Sequence, residues 1–325
     1  MNLVKLNPAR TKAAERGWRA WIDDHPALGL ALVLLVLPFV LPEKSLAAEI
    51  LTFGLFALSF NLLLGYTGLL SFGHSTFLGL GSYAAAIFLI RVGANFWGAL
   101  ALGMLVPTLF ATIIGWFSLR RREVYFAMLT LAFNQMVFFV FFQLRWLTGG
   151  DDGLRGIPIP DLAIPGLFSL DIDVLRNPLR FFFVTYAIVV ACFFALQRIV
   201  HSPFGRALQA IRESEERARA CGYDTNRLQL LSFVFAGLFA GVAGALNVLL
   251  YGFVALESLN WLMAGVVVIM TIAGGAGTFV GPIIGAAFYL FFQEYLSKLT
   301  ANWPFYFGGL FVLIVLFLPA GIWGT

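Results

Sequence analysis

Residues 51–90 read LTFGLFALSFNLLLGYTGLLSFGHSTFLGLGSYAAAIFLI, forty positions without a charged side chain, in which Gly68, Gly73, Gly79 and Gly81 interrupt an otherwise smooth apolar run. A segment of about 20 apolar residues crosses the hydrocarbon of a bilayer. Such a segment must satisfy its own backbone hydrogen bonds, which makes it helical. The stretch therefore reads as two spans, 47–65 and 74–92, joined at membrane depth through glycine. Non-helical backbone is tolerated there only against protein or a wet cavity, so the 66–82 region is expected to be a broken helix lining a pathway.

The same composition extends along the chain. Of 325 residues 60% are hydrophobic and 12% charged, and the mean hydropathy is +0.89, far from an ordinary soluble domain. Further spans are predicted at 27–42, 96–118, 124–146, 179–199, 228–250, 260–274, 279–296 and 303–320. The fold class is an all-α integral membrane protein, a polytopic bundle of about ten transmembrane helices. A cleaved signal peptide is disfavoured, since Asp23 and Asp24 precede the first apolar stretch and many spans follow.

Orientation follows from the basic residues. With the amino terminus inside, inner segments hold 14 of the 21 Lys and Arg: five in 1–26, three at 120–122 and six from Arg198 to Arg227. That agrees with the positive-inside rule and puts both termini in the cytoplasm. All eight tryptophans, Trp18, Trp21, Trp97, Trp116, Trp146, Trp261, Trp303 and Trp323, fall near span ends, as interfacial anchors do. The chain divides into a cytoplasmic segment 1–26 and a transmembrane domain 27–325, with an outer loop at 147–178 and an inner one at 200–227.

Chemistry in water is poorly served. The formal charge of +4 is spread over loops, which gives no nucleic-acid-binding block. Cys192 and Cys221 make no disulfide framework, and His25, His74 and His201 lack metal-ligand spacing. No G-x-x-x-x-G-K-[ST] phosphate loop, H-E-x-x-H or serine–base pair occurs, so neither a metal nor any directly bound cofactor is expected. Lipid is the expected surrounding.

An internal echo suggests duplicated halves. GHSTFLGLGSYAAA at 73–86 matches GAGTFVGPIIGAAF at 275–288 at six of fourteen positions, although small residues recur in any packed membrane helix. In the inner loop, Ser202 before Pro203 starts a helix and Gly222 ends it, which predicts one helix over roughly 203–221. Ala207, Ile211, Ser214, Ala218 and Cys221 would share its narrow apolar face. Glu213 with Arg217 and Glu215 with Arg219 would pair at i,i+4. Such a helix could lie at the lipid headgroups or dock a cytoplasmic protein.

Polar groups at membrane depth are costly unless partnered. Asn61, His74, Asn134, Gln135, Asn247 and Glu294 are candidates on that ground, each with interhelical bonding or packing as the alternative. Ser71, Gly274 and Gly275 complete the candidate translocation pathway with Asn61, His74, Asn134 and Gln135. Asp151 and Asp152 beside three glycines form either a solvated turn or an outer docking surface.

Four ordered motifs carry a family resemblance: GYTGLLSFGHSTFLGLGSY at 65–83, TGGDDGLRGIP at 148–158, SPFGRALQAIRESEERARACGYD at 202–224 and TIAGGAGTFVGPIIGA at 271–286. Together they resemble the LivM-type permease of branched-chain amino-acid ABC transporters, from about residue 45 to 320. The resemblance implies a bacterial inner-membrane subunit of an ATP-driven importer for branched-chain or related small amino acids, or amides such as urea. It implies a LivH-type second permease, two cytoplasmic ATPases that use the ATP, and an outer substrate-binding protein that sets selectivity. That binding protein would meet Asp151 and Asp152. ABC importer permeases dock their ATPase through an E-A-A-x-x-x-G loop, which Glu216-Arg217-Ala218 and Gly222 resemble with Arg in the second position. Gly205, Arg206, Arg212, Glu216, Ala218 and Gly222 are the implied docking residues. The competing reading, a stand-alone ion-coupled secondary transporter, would place a charged relay in its middle spans. The central portions of 96–118, 124–146 and 228–250 hold none.

Overall fold

The computed structural model describes residues 26–41, 43–93, 95–120, 123–158, 160, 162–164, 168–170 and 177–325. The basic amino-terminal segment with Trp18, Trp21 and His25, and also Arg121 and Arg122, lie outside the described residues.

In chain order the elements begin with α1 (Pro26–Val40), α2 (Lys44–Asn61) and a π-helical turn (Leu62–Thr67). Then come α3 (His74–Arg91), α4 (Phe96–Ser118) and α5 (Glu123–Gln143). In the long loop, β1 (Leu162–Ile164) and β2 (Phe168–Leu170) form an antiparallel hairpin that pairs Leu162 with Leu170, a small addition to the all-α expectation. The chain continues through α6 (Pro178–His201), α7 (Pro203–Glu213), α8 (Glu215–Ala220) and α9 (Thr225–Tyr251). It ends with α10 (Trp261–Gly274), α11 (Gly281–Leu299), α12 (Trp303–Phe317) and α13 (Gly321–Gly324).

A helix stands at each of the ten places selected by apolar runs. Among the described residues six stretches are long and apolar enough to cross a membrane: Lys44–Thr67, Phe96–Ser118, Val124–Gln143, Pro178–His201, Thr225–Tyr251 and Trp303–Gly324. The 14 residues of α10 rise only about 21 Å at ~1.5 Å per residue, short of the ~30 Å hydrocarbon.

Burial ranks the helices. Of the apolar window in Lys44–Thr67, 94% is buried, against 17% of that in Trp303–Gly324; α2 is the central post and α12 lies at the edge. Around α2, helix α9 packs against α3 and α4, and α10 against α11. Small residues allow the close approach. A Cβ placed on Gly244 of α9 would stand 2.0 Å from the Leu78 carbonyl of α3.

The two ends of the bundle differ. At one end α7 and α8 gather Arg206, Arg212, Arg217 and Arg219 beside Arg227. At the other, Leu154 and Val254 exchange both backbone hydrogen bonds at 3.0 Å, and Arg91 donates to the Trp146 carbonyl at 2.9 Å. Trp97, Trp116, Trp146 and Trp261 are exposed beside helix ends.

Two expectations about helix continuity are corrected. The predicted single helix over 203–221 breaks at Ser214, which is extended (φ −164°, ψ 106°). Its Oγ accepts from the Arg217 N–H at 3.4 Å and starts α8 as an N-cap. Glu213 and Arg217 thus sit on different helices and form no ion pair among the described residues, while Glu215 and Arg219 do, at 2.7 Å. Ala207, Ile211 and Ala218 are buried as expected, but Cys221 is exposed. The second correction concerns the predicted break at 66–82. It is confined to the π turn and the irregular segment 68–73, and α3 is regular from His74. Gly79 lies inside that helix, where it leaves room for Leu259.

Candidate functional site: the junction of two chain breaks

The two copies of the echoed sequence both start at interruptions of helix. The first interruption runs through 62–73, and the second through 275–280, between α10 and α11. They meet. Asn61, the last residue of α2 and fully buried, donates from Nδ2 to the Thr278 carbonyl at 2.8 Å. Its Oδ1 accepts from the Gly277 N–H at 2.9 Å. One side-chain amide therefore satisfies adjacent backbone groups of the other break, which would be costly to bury unpaired.

Arg212, in the last turn of α7, reaches the same place from the surface. Its Nη1 donates to the carbonyl of Gly65, in the final π turn, where carbonyls lack partners within the helix. The arginine stem passes over Gly68, whose φ of +79° is open to glycine. A Cβ on Gly277 would stand 3.0 Å from the Arg212 Nη1. A cavity of about 810 Å³ lies on one side, lined by Thr67, Gly68, Phe72, Arg212 and Ser214 among others. A second, of about 450 Å³, lies on the other, with Tyr66, Gly277 and Thr278 in its wall. The irregular backbone of both breaks thus borders open space.

His74 and Asn134 occupy a separate, fully buried cluster. Ser59 Oγ donates its hydrogen to the Phe56 carbonyl at 2.7 Å, so His74 Nε2, 2.9 Å away, is the donor of their pair. The ring lies between Phe56 and Phe60, both at 5.2 Å, with Phe77 edge-on. Asn134 directs Nδ2 to Ser75 Oγ, Thr76 Oγ1 and the Leu259 carbonyl at 2.8–3.0 Å. It ties α3, α5 and the loop before α10 together.

The remaining candidates are distributed. Ser71 is buried and accepts from the Gly73 N–H at 3.3 Å, and Gln135 is half-buried. Gly274 and Gly275 end α10, where the carboxy-terminal α13 packs: a Cβ on Gly321 would stand 2.4 Å from Gly275. Arg206, Glu216 and Gly222 are exposed on the α7–α8 surface, while Gly205 and Ala218 are buried beneath it. Asp151 and Asp152 are exposed at the opposite end, in a turn whose Gly149, Gly150 and Gly153 all have positive φ.

Sequence reasoning passed over Ser59, Gly277, Thr278 and Leu259. The echo contained Gly277 and Thr278, and an unmatched Asn immediately before one break was the available signal for a partner at the other. Nothing local marked Leu259, which ends a short 3-10 turn (Leu256–Leu259) and is fully buried.

Over residues 44–319 the sequence matches the family described as branched-chain amino acid transport system / permease component. It is 28% identical over 312 residues to the high-affinity branched-chain amino acid transport system permease protein LivM of Salmonella typhimurium, covering 91% of this chain and 73% of that protein. It is 26% identical over 292 residues to the corresponding LivH of Escherichia coli, with coverages of 84% and 91%. To the autoinducer 2 import system permease protein LsrC of Klebsiella pneumoniae it is 27% identical over 299 residues, with coverages of 90% and 74%. No solved structure matches the chain.

Proposed function

The chain belongs to the branched-chain amino acid transport system / permease component family, and from that premise we propose that it is a transmembrane subunit of an ATP-driven importer. The observation that carries this reading is the α7–α8 surface. An exposed pair of short helices at the arginine-rich end is joined directly to two breaks in the membrane bundle. A cytoplasmic ATPase seated on Arg206, Glu216 and Gly222 would move a rigid element already attached to those breaks, the kind of rigid-body switching by which nucleotide closure reaches a distant site. In this reading the chain binds no cofactor and hydrolyses no ATP. Two partner ATPases do so, a LivH-type permease completes the pathway, and a binding protein delivers substrate at the Asp151–Asp152 end.

Branched-chain amino acids are the proposed cargo, supported by the family description and by the LivM and LivH relatives. A zwitterion needs weak polar contacts and helix ends rather than a fixed charge that would hold it. Ten crossings, with the arginine-rich end in the cytoplasm, complete the proposed topology. The test is mild-detergent purification of the tagged chain followed by leucine uptake in proteoliposomes. A second permease and two P-loop ATPases in the complex, with uptake that requires ATP, is the expected result. Ion-driven uptake by the purified chain alone would overturn it in favour of a secondary carrier.

A further inference from the structure

We propose that Arg212 is a latch within this chain, the residue through which α7 carries its movement to both chain breaks at once, rather than a contact to the ATPase. The proposal rests on the importer reading and adds the element that transmits force. Arg212 Nη1 donates to the Gly65 carbonyl within the first break. The stem lies on Gly68: a Cβ there would stand 3.1 Å from Arg212 Cγ and 3.5 Å from its Cβ. The guanidinium tip sits over Gly277 of the second break, 3.0 Å from where its Cβ would be. Both glycines have positive φ, +79° and +85°, and neither carries a side chain that would displace the arginine.

Asn61 closes the arrangement from within the membrane, bonding Gly277 and Thr278 from the last residue of α2. The two breaks therefore cannot separate without disrupting Asn61, and α7 cannot leave them without disrupting Arg212. A displacement of α7 must move the pair as one body or slip. Arginine suits the task because its planar fork holds several donors on a long stem, whereas lysine offers one point. Its positive charge also stands at a helix carboxy end, the favourable sign for that dipole.

The experiment uses the complete transporter in proteoliposomes and compares wild type with Arg212→Gln and Arg212→Lys. Three quantities are read: ATPase co-purified, ATP hydrolysed, and leucine taken up per ATP. Expected for Arg212→Gln is unchanged ATPase stoichiometry and hydrolysis, with uptake per ATP lower by about tenfold, a usual size for coupling between sites. Arg212→Lys should recover part of it. A covalent substitute provides the second arm: Gly68→Cys with Arg212→Cys, in a chain with Cys192 and Cys221 replaced by Ser. The 3.5 Å between the two Cβ positions suits a disulfide, and oxidation should raise uptake per ATP above that of the reduced form. This pair also carries the comparison if Arg212→Gln fails to accumulate. Unchanged uptake per ATP in Arg212→Gln, loss of the ATPase from that complex, or a disulfide that forms without raising uptake per ATP would each overturn the latch. Absence of ATP-driven uptake in wild type would instead overturn the importer reading, and the latch with it.

Discussion

Asn61 is the residue on which most local consequences converge, because both ends of its amide are committed to backbone groups of another segment. Asn61→Leu leaves the Gly277 N–H and the Thr278 carbonyl without those partners, at about 1–3 kcal/mol for each buried group. The expected result is a markedly lower thermal transition in detergent. Asn61→Asp keeps the acceptor for Gly277 and loses the donor to Thr278, so it should fall between the two. Gly65→Ala attacks the same bond from the other side: its Cβ would stand 2.0 Å from Asn61 Oδ1 and 2.5 Å from the Gly277 nitrogen. Because both changes break one contact, the double variant should be less destabilised than the sum of the singles. Additive losses would show that the two side chains do not share it.

At the level of elements, the joint at Ser214 separates α7, which touches the breaks, from α8, which does not. Ser214→Ala removes the α8 N-cap, worth about 1 kcal/mol, whereas Ser214→Asp preserves an acceptor. The expected readout is faster tryptic cleavage at Arg217 and Arg219 in inverted vesicles for the alanine variant alone. This joint also shows where sequence reading stops. Long uncharged runs located a helix at each of the ten places, and among the described residues six stretches have the length and apolarity that bilayer thickness demands. Ser214 kept the apolar spacing of a continuous helix between Ile211 and Ala218, and that periodicity hid the break. The legible clue was a serine followed by two glutamates, an N-cap with acidic first turn. Of the candidate site, Asn61 and Arg212 were marked by polarity and family pattern. Their partners were not, because the contacts join residues 217 and 147 positions apart and leave no periodic trace.

For the whole molecule, the two unlike ends yield a test of orientation that uses a native residue. Cys221 is exposed beside α8, while Cys192 lies half-buried within α6. With the arginine-rich end in the cytoplasm, a membrane-impermeant maleimide should label Cys221 in inverted vesicles and spare it in right-side-out spheroplasts. Asp151→Cys, in a chain with Cys221→Ser, should behave in the reverse manner. The span between Asn61 and its partners also sets a clock for biogenesis. A ribosome adding about 5–20 residues per second delivers Thr278 about 10–40 s after Asn61, since 217 positions separate them. Throughout that interval α2 must wait in the translocon or lipid with its amide unmatched. Nascent chains that stall before Gly277 should therefore be the ones that quality-control proteases remove.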